Sequence, residues 1–344
     1  MTLLRKIMEP ARVLLAPLAV VHGLVLHVRH VLFDAGLFSS KKTSTPTVVV
    51  GNLNVGGSGK TPFTEWLVQH LSQDLKVAVL SRGYGRSTSG FRMVEVQHTA
   101  SDAGDEPLQI KQRFPQVPVA VCEDRLAGIA HLTQTAAPDV IVLDDAYQHR
   151  KLQGHFNVLL TPATKPWFKD HLMPWGGLRD VKRARKRAHA VVITKLAGGA
   201  QLPSDWMAKL NVDVPVYGAA LEYAAPRPEG HTTALTACAG AVAVSALAAP
   251  GLFEDHVSGL FPDSQAVRFR DHHGFTASDF ARIQGKIGTF ENGPVAVLTT
   301  EKDWTKLRPL QQAAPSHWRF FVIPVTLHLP EGESLLKQVR QTIH

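Results

Sequence analysis

Residues 47–71 restrict the fold more than any other stretch of this chain. The β-branched run Thr47-Val48-Val49-Val50 stops at Gly51 and passes through Asn52-Leu53-Asn54-Val55-Gly56-Gly57-Ser58-Gly59-Lys60-Thr61-Pro62. It continues into Phe63 to Leu71, whose apolar spacing suits a helix. Strand, glycine loop and helix in that order make a phosphate cradle, because several backbone N–H groups can converge on one polyphosphate only where no Cβ blocks the approach. The helix start adds partial positive charge. In this reading Asn54, Val55, Gly56, Gly57, Ser58, Gly59, Lys60 and Thr61 surround the phosphates of a nucleotide. Lys60 reaches the terminal phosphates and the Thr61 hydroxyl joins a Mg2+ shell. Asn54 stands where the strict pattern G-x-x-x-x-G-K-[ST] has its first glycine, so the match is incomplete.

Short apolar runs follow at Val77–Leu80, Val117–Val121, Val140–Leu143, Val158–Leu160 and Val191–Thr194, separated by segments that can hold helices. That alternation predicts a parallel sheet with helical crossovers. A Pro-rich stretch around Ala224 to Gly230 reads as a linker, with further strands at Ala241–Leu247 and Val295–Thr299 beyond it. The expected fold is α/β: a P-loop NTPase-like parallel-sheet domain over 41–225, a smaller α/β domain over 226–344, and an amino-terminal membrane-associated helix within 1–40.

That amino-terminal segment is apolar from Val13 to Val28 but interrupted by Pro17, His22, Gly23 and His27, with Arg5, Lys6, Arg12 and Arg29 as basic flanks. It is short for a span of about 20 apolar residues. A helix lying in the interface needs only an apolar face and basic flanks. The 37 basic against 29 acidic side chains give a net charge of +8, which favours anionic partners. The densest basic run, Lys182 to Arg187, has no interleaved aromatics. An anionic membrane surface therefore suits it better than nucleic acid, and no nucleic-acid partner is expected. The only cysteines, Cys122 and Cys238, lie in no metal-ligand spacing and read as reduced thiols.

Asp144 and Asp145 close the strand Val140–Leu143, where a Walker B acid holds Mg2+ against nucleotide phosphates. Gly104-Asp105-Glu106-Pro107 reads by itself as a helix start, with acids favoured by the dipole. It would also supply the carboxylate that a kinase needs beside an acceptor hydroxyl. Arg270-Asp271-His272-His273 offers a histidine able to pair with such an acid. Thr194-Lys195-Leu196-Ala197 lacks the acid with which GTPases read guanine, so ATP is the expected nucleotide.

The ordered set Gly51-Asn52…Gly56-Gly57-x-Gly59-Lys60-Thr61-Pro62, Ser81-Arg82-Gly83-Tyr84-Gly85-Arg86, Gly104-Asp105-Glu106-Pro107, Glu123-Asp124-Arg125, Asp144-Asp145-x-Tyr147-Gln148-His149, Asp271-His272 and Thr300-Glu301-Lys302-Asp303 resembles the tetraacyldisaccharide 4'-kinase family. That family's loop also lacks the first glycine. The resemblance implies ATP-dependent phosphorylation of the 4'-hydroxyl of a tetraacylated glucosamine disaccharide 1-phosphate, at the cytoplasmic face of the inner membrane; a monomer, peripheral or single-pass, is expected. It implies Asp105 as catalytic base with His272 as its dyad partner from the second domain; closure of two domains over MgATP is the expected step that brings them together. Asp144 and Asp145 would organise Mg2+, and Gln148 would support the nucleotide end. Glu106, Arg125, His149 and Arg179 would meet the lipid headgroup and its 1-phosphate. The family's Leu-Arg-Glu is here Leu178-Arg179-Asp180, which leaves Asp180 without an assigned role. The rival reading is a membrane-associated P-loop ATPase switch with no lipid acceptor.

Overall fold

A computed structural model describes residues 13–197, 199–288, 290 and 293–343. The flanking Arg5, Lys6 and Arg12 lie outside the described residues. The chain divides into two compact units, one of residues 1–82, 117–221 and 327–344, the other of 83–116 and 222–326.

The first unit is built on seven parallel strands, β1 (Thr47–Asn52), β2 (Val77–Ser81), β3 (Val119–Val121), β4 (Val140–Leu143), β5 (Phe156–Pro162), β6 (Ala190–Thr194) and β7 (Val216–Gly218). Their order across the sheet is β3-β2-β4-β1-β5-β6-β7. Strands β1, β2 and β4 are buried at every residue, as expected for a sheet covered on both faces. Chain order reverses at β1, which lies between β4 and β5, and ligands of open parallel sheets bind at the carboxyl end of such a switch point. The helix Lys60–Leu71 leaves that end of β1 and buries Phe63, Trp66, Leu67, Val68 and Leu71. The carboxy-terminal helix Gly332–Ile343 belongs to this unit, with Gly332 against the Trp66 ring and Arg340 paired with Asp74 at 3.0 Å.

At the amino terminus of the same unit, the helix Ala16–Asp34 carries Pro17 in its first turn, where the missing N–H costs nothing. Only Ala19 and His30 of this helix are buried, while Leu18, Val20, Val21, Leu24, Val25, Val28 and Val31 are exposed. Among the described residues it is one helix long and apolar enough to cross a membrane by length and composition.

In the second unit, strands β8 (Arg227–Pro228), β9 (Gly240–Ser245), β10 (Gln265–Arg268), β11 (Val295–Thr300) and β12 (Trp318–Ile323) lie in the order β8-β12-β11-β9-β10. All pairings are parallel except β8 with β12. Alternate residues serve opposite faces. Val242, Val244, Val295 and Val297 join Phe280, Ile283 and Trp304 in one core, and Ala241, Ala243, Ala296 and Leu298 join Phe253 and Val257 in another.

The expected single boundary near 225 lies close to one junction, but the units are not continuous in sequence. Residues 83–116 carry Asp105 and Glu106 into the second unit, because the helix Asp105–Arg113 packs against the helix Glu301–Leu307. Phe253 is fully buried at the centre of its core. Phe253→Ala is expected to cost about 3–5 kcal/mol, read as a lower urea midpoint for the transition of this unit.

Candidate active site

The phosphate loop is pinned from outside. Asn54 turns its side chain away from the cradle and donates Nδ2–H to Asp170 at 2.9 Å, while Val55 N–H bonds the Gly177 carbonyl at 2.7 Å. Asp170 also accepts from the Gly177 amide at 3.0 Å and pairs with Lys165 at 3.0 Å. The residue that replaces the usual glycine therefore latches its amide onto the loop of residues 170–178. Thr194 Oγ1 donates to the Ser58 carbonyl at 2.7 Å and closes the other side. Gly56 and Gly59 take φ of +94° and +81°, a region that a Cβ disfavours. The buried Ser58 hydroxyl has no hydrogen-bond partner among the described residues. Glycine-exposed amides beside an unanswered buried hydroxyl fit a phosphate chain, so the cradle suits the expected ATP.

The register of β1 with β4 pairs Val49 with Leu143 and so sets Asp144 and Asp145 beside the loop. Asp144 is fully buried and accepts from Thr64 Oγ1 at 3.1 Å. Asp145 adopts φ +51°, unusual for a residue with a Cβ, and faces Lys60 Nζ at 3.8 Å. Arg179 donates to both of its oxygens and to Asn52 Oδ1. Burial by itself would raise the Asp145 carboxyl; Lys60 and the Arg179 guanidinium outweigh it and keep the group below the ordinary carboxylate range. Among the described residues no three or more His, Cys, Asp or Glu side chains form a ready metal cage. Mg2+ does not ask for one, since it takes one or two carboxylates together with substrate phosphates, and Thr61, Asp144 and Asp145 fit that pattern.

The remaining expected site residues of this unit separate. Gln148 and His149 line a cavity of about 920 Å³ together with Arg29, Phe33, Arg150 and Lys151. Gln148 donates its amide to the Asn52 carbonyl at 2.8 Å, and His149 Nε2 has no partner among the described residues. Burial, then the Arg125 charge, holds the His149 imidazole below its ordinary range. Arg125 does not line the cavity; it is buried at a helix start and donates to the Cys122 carbonyl at 2.7 Å. Arg179, expected beside the lipid headgroup, is instead committed to Asp145.

In the second unit, His272 Nδ1 and Asp105 Oδ2 stand 2.9 Å apart. Both belong to this one unit, whereas domain closure is the step expected to bring them together. Asp105 opens the helix Asp105–Arg113, its Oδ1 accepting the Glu106 amide at 3.0 Å, as the acid-favouring helix start requires. His272 sits at φ +59°, its amide bonded to the Asp271 carboxylate at 3.1 Å and its ring edge-on to Tyr84.

Two lysines not expected at the site complete it. Lys306 donates to Asp105 at 3.3 Å, and Lys302 approaches His272 Nε2 at 3.4 Å, Asp271 at 3.4 Å and Glu106 at 3.5 Å. Their spacing of four in a helix puts them on one face, and their place after the strand end at Thr300 is the signal that could have found them. Burial alone would raise Asp105; the His272 hydrogen bond, Lys302 and Lys306 override it and hold the carboxyl far below its usual range. The bond from Asp105 raises His272 in turn. An acid so strongly ionised orients and accepts a hydrogen bond well and takes up a full proton poorly.

The sequence model described as Tetraacyldisaccharide-1-P 4'-kinase matches residues 11–344. The chain belongs to this kinase family. It is 34% identical over 337 residues to a tetraacyldisaccharide 4'-kinase of Cytophaga hutchinsonii, covering 96% of this chain and 95% of the relative. A tetraacyldisaccharide 4'-kinase of Flavobacterium johnsoniae is likewise 34% identical, over 96% of this chain and 99% of the relative. Among solved structures, LpxK from Aquifex aeolicus in complex with ATP superposes with a TM-score of 0.77 at 28% identity, covering 97% of this chain and 100% of that one. Family membership is thus carried by nearly the whole chain, second unit included, and the family is one of kinases that phosphorylate a hydroxyl group.

If the carboxylate of Asp105 sustains the raised His272 pKa, Asp105→Asn brings it down toward about 6.5. Imidazole NMR signals followed against pH check this, and an unmoved His272 titration in the variant would refute the assignment.

Proposed function

We infer that this chain transfers the γ-phosphate of ATP to the 4'-hydroxyl of a tetraacyldisaccharide 1-phosphate. Family membership supports this reading over the ATPase switch. The observation that carries it within the chain is the Asp105–His272 pair, held at 2.9 Å with two lysines behind it. A nucleotide switch without an acceptor has no use for a carboxylate polarised in this way.

In this mechanism Lys60 and the loop amides draw charge from the transferred phosphoryl group, while Asn54 and Thr194 keep the loop in shape by holding its flanks. Thr61, Asp144 and Asp145 would hold Mg2+, which supplies charge neutralisation between the terminal phosphates. Asp105 accepts the hydrogen bond of the 4'-hydroxyl and orients its lone pair toward phosphorus. The transition state of phosphoryl transfer is loose, so the hydroxyl proton leaves only late, when bonding to phosphorus has made the oxygen strongly acidic; it passes by way of Asp105 to solvent, for which an acceptor of low basicity is adequate. His272, hydrogen-bonded through Nδ1, keeps Asp105 in place. Lys302 and Lys306 hold it ionised.

The lipid disaccharide fits the cavity chemistry. Arg29, Arg150 and Lys151 suit a phosphate, and Phe33, Leu37 and Phe38 suit acyl chains. Glu106 and Arg125 border these groups in sequence and are proposed to shape the sugar and loop positions. The exposed apolar face of Ala16–Asp34, with the basic run at Lys182–Arg187 beyond it, favours attachment to an anionic membrane surface. Dependence on ATP supports the cytoplasmic side of the inner membrane as that surface.

The test is transfer of labelled γ-phosphate from ATP to tetraacyldisaccharide 1-phosphate in detergent micelles. Lys60→Ala and Asp105→Ala are each expected to lower kcat by roughly 10²–10⁴-fold. ATP hydrolysis that persists without lipid product would return the chain to the switch reading. Separately, Val21→Asp with Leu24→Asp is expected to abolish flotation with anionic vesicles while leaving ATP binding intact; retained flotation would remove the helix from the attachment.

A further inference from the structure

His30 is the one polar residue that the amino-terminal helix buries, at 4% exposure, in an element otherwise turned largely outward. Its ring is held from both sides. Arg150 Nη1 donates to Nδ1 at 2.7 Å, and Nε2 meets Asp180 Oδ1 at 2.6 Å. A guanidinium can only donate and a carboxylate can only accept, so the partners select the neutral tautomer with its proton on Nε2. Asp180 has no exposed surface, and besides His30 it accepts the Val181 amide at 2.8 Å and Arg187 at 3.3 Å. Burial works against its charge; His30 and then Arg187 hold it ionised.

The residue before Asp180 is Arg179, whose amide bonds the Leu53 carbonyl at 2.8 Å and whose guanidinium grips Asp145 beside Lys60. Two neighbouring side chains of one short segment therefore serve two places. Asp180 fastens the segment to the helix, and Arg179 reaches the nucleotide phosphate site. A second tie runs in parallel, from Arg29 to the Gln148 carbonyl at 2.9 Å and from the Gln148 amide to Asn52.

We propose that His30 is a positioning residue for phosphoryl transfer: through Asp180 it sets the backbone from which Arg179 orients Asp145 against Lys60. The inference rests on the kinase reading above. It adds that the helix which meets the lipid surface also supports the phosphate site. The groups that face the imidazole are Asp180 and Arg150, with Arg187 behind Asp180. A misplacement of Asp145 and Lys60 transmitted this way lowers turnover without touching the lipid.

The two amide isosteres of histidine separate the two contacts. His30→Gln places a donor where Nε2 stood and can answer Asp180. His30→Asn places its amide where Nδ1 stood and removes the residue-30 hydrogen bond to Asp180, leaving it the Val181 amide and Arg187. His30→Asn is expected to lower kcat at saturating lipid, and to weaken ATP binding measured calorimetrically without lipid, each by about tenfold, with His30→Gln within about twofold of the parent. The same cycle with Arg179→Ala is expected to be non-additive. Equal values for the two variants, or a loss confined to the KM for lipid, would overturn the proposal and leave His30 a membrane-helix anchor. Failure of the kinase reading itself would be distinguished by absence of lipid product from the parent chain, while the calorimetric comparison would still decide the role of His30.

Discussion

Parallel hydrogen bonding of β1 to β4 is the constraint from which the site follows. With Val49 opposite Leu143, the glycine loop leaving one strand and the acids leaving the other emerge at the same edge. The reversal of strand order at β1 opens the crevice there, and the helix Lys60–Leu71 points its amino terminus into it. A slip of one residue in this register would exchange the two faces of β4 and displace Asp144 and Asp145 from the loop. The burial of both strands on each face makes such a slip costly.

Three carboxylates, Asp105, Asp145 and Asp180, share one electrostatic solution. Asp105 and Asp180 are buried and Asp145 is partly so, which by itself favours the neutral acid, and each is kept ionised by cations or histidine in contact. The pairs are His272 with Lys306 for Asp105, Lys60 with Arg179 for Asp145, and His30 with Arg187 for Asp180. Removing one partner from such a set leaves a buried charge partly unanswered, so the effects spread beyond the contact removed. These sets hold three carboxylates each in one orientation, which suits a reaction that depends on aiming groups at phosphorus more than on covalent chemistry.

Much of the fold was legible in the chain. Apolar runs of four or five residues, spaced by helical segments, marked β1, β2, β4, β6 and β11, because strands buried on both faces need uninterrupted apolar side chains. The phosphate loop and the acids after β4 were legible because their chemistry demands specific residues at fixed spacing. Asn54 was legible as a departure but not as a latch, since its partner Asp170 lies 116 residues away. Lys302 and Lys306 were visible as residues of a strand-end element, and nothing local showed that they face Asp105. Arg179 was placed beside the lipid headgroup on resemblance, whereas its neighbours in space bind it to Asp145.

The amino-acid sequence determined the parallel α/β architecture, the nucleotide cradle and the apolar helix, each of which depends on side-chain type and period within a short window. The tertiary structure alone decided the grouping of 83–116 with 222–326, the pairing of Asp105 with His272 inside one unit, and the role of Asp180 against His30. These are contacts across more than a hundred residues. Local propensity carries no information about them, because which distant side chain satisfies a buried charge is settled only when the whole chain has packed.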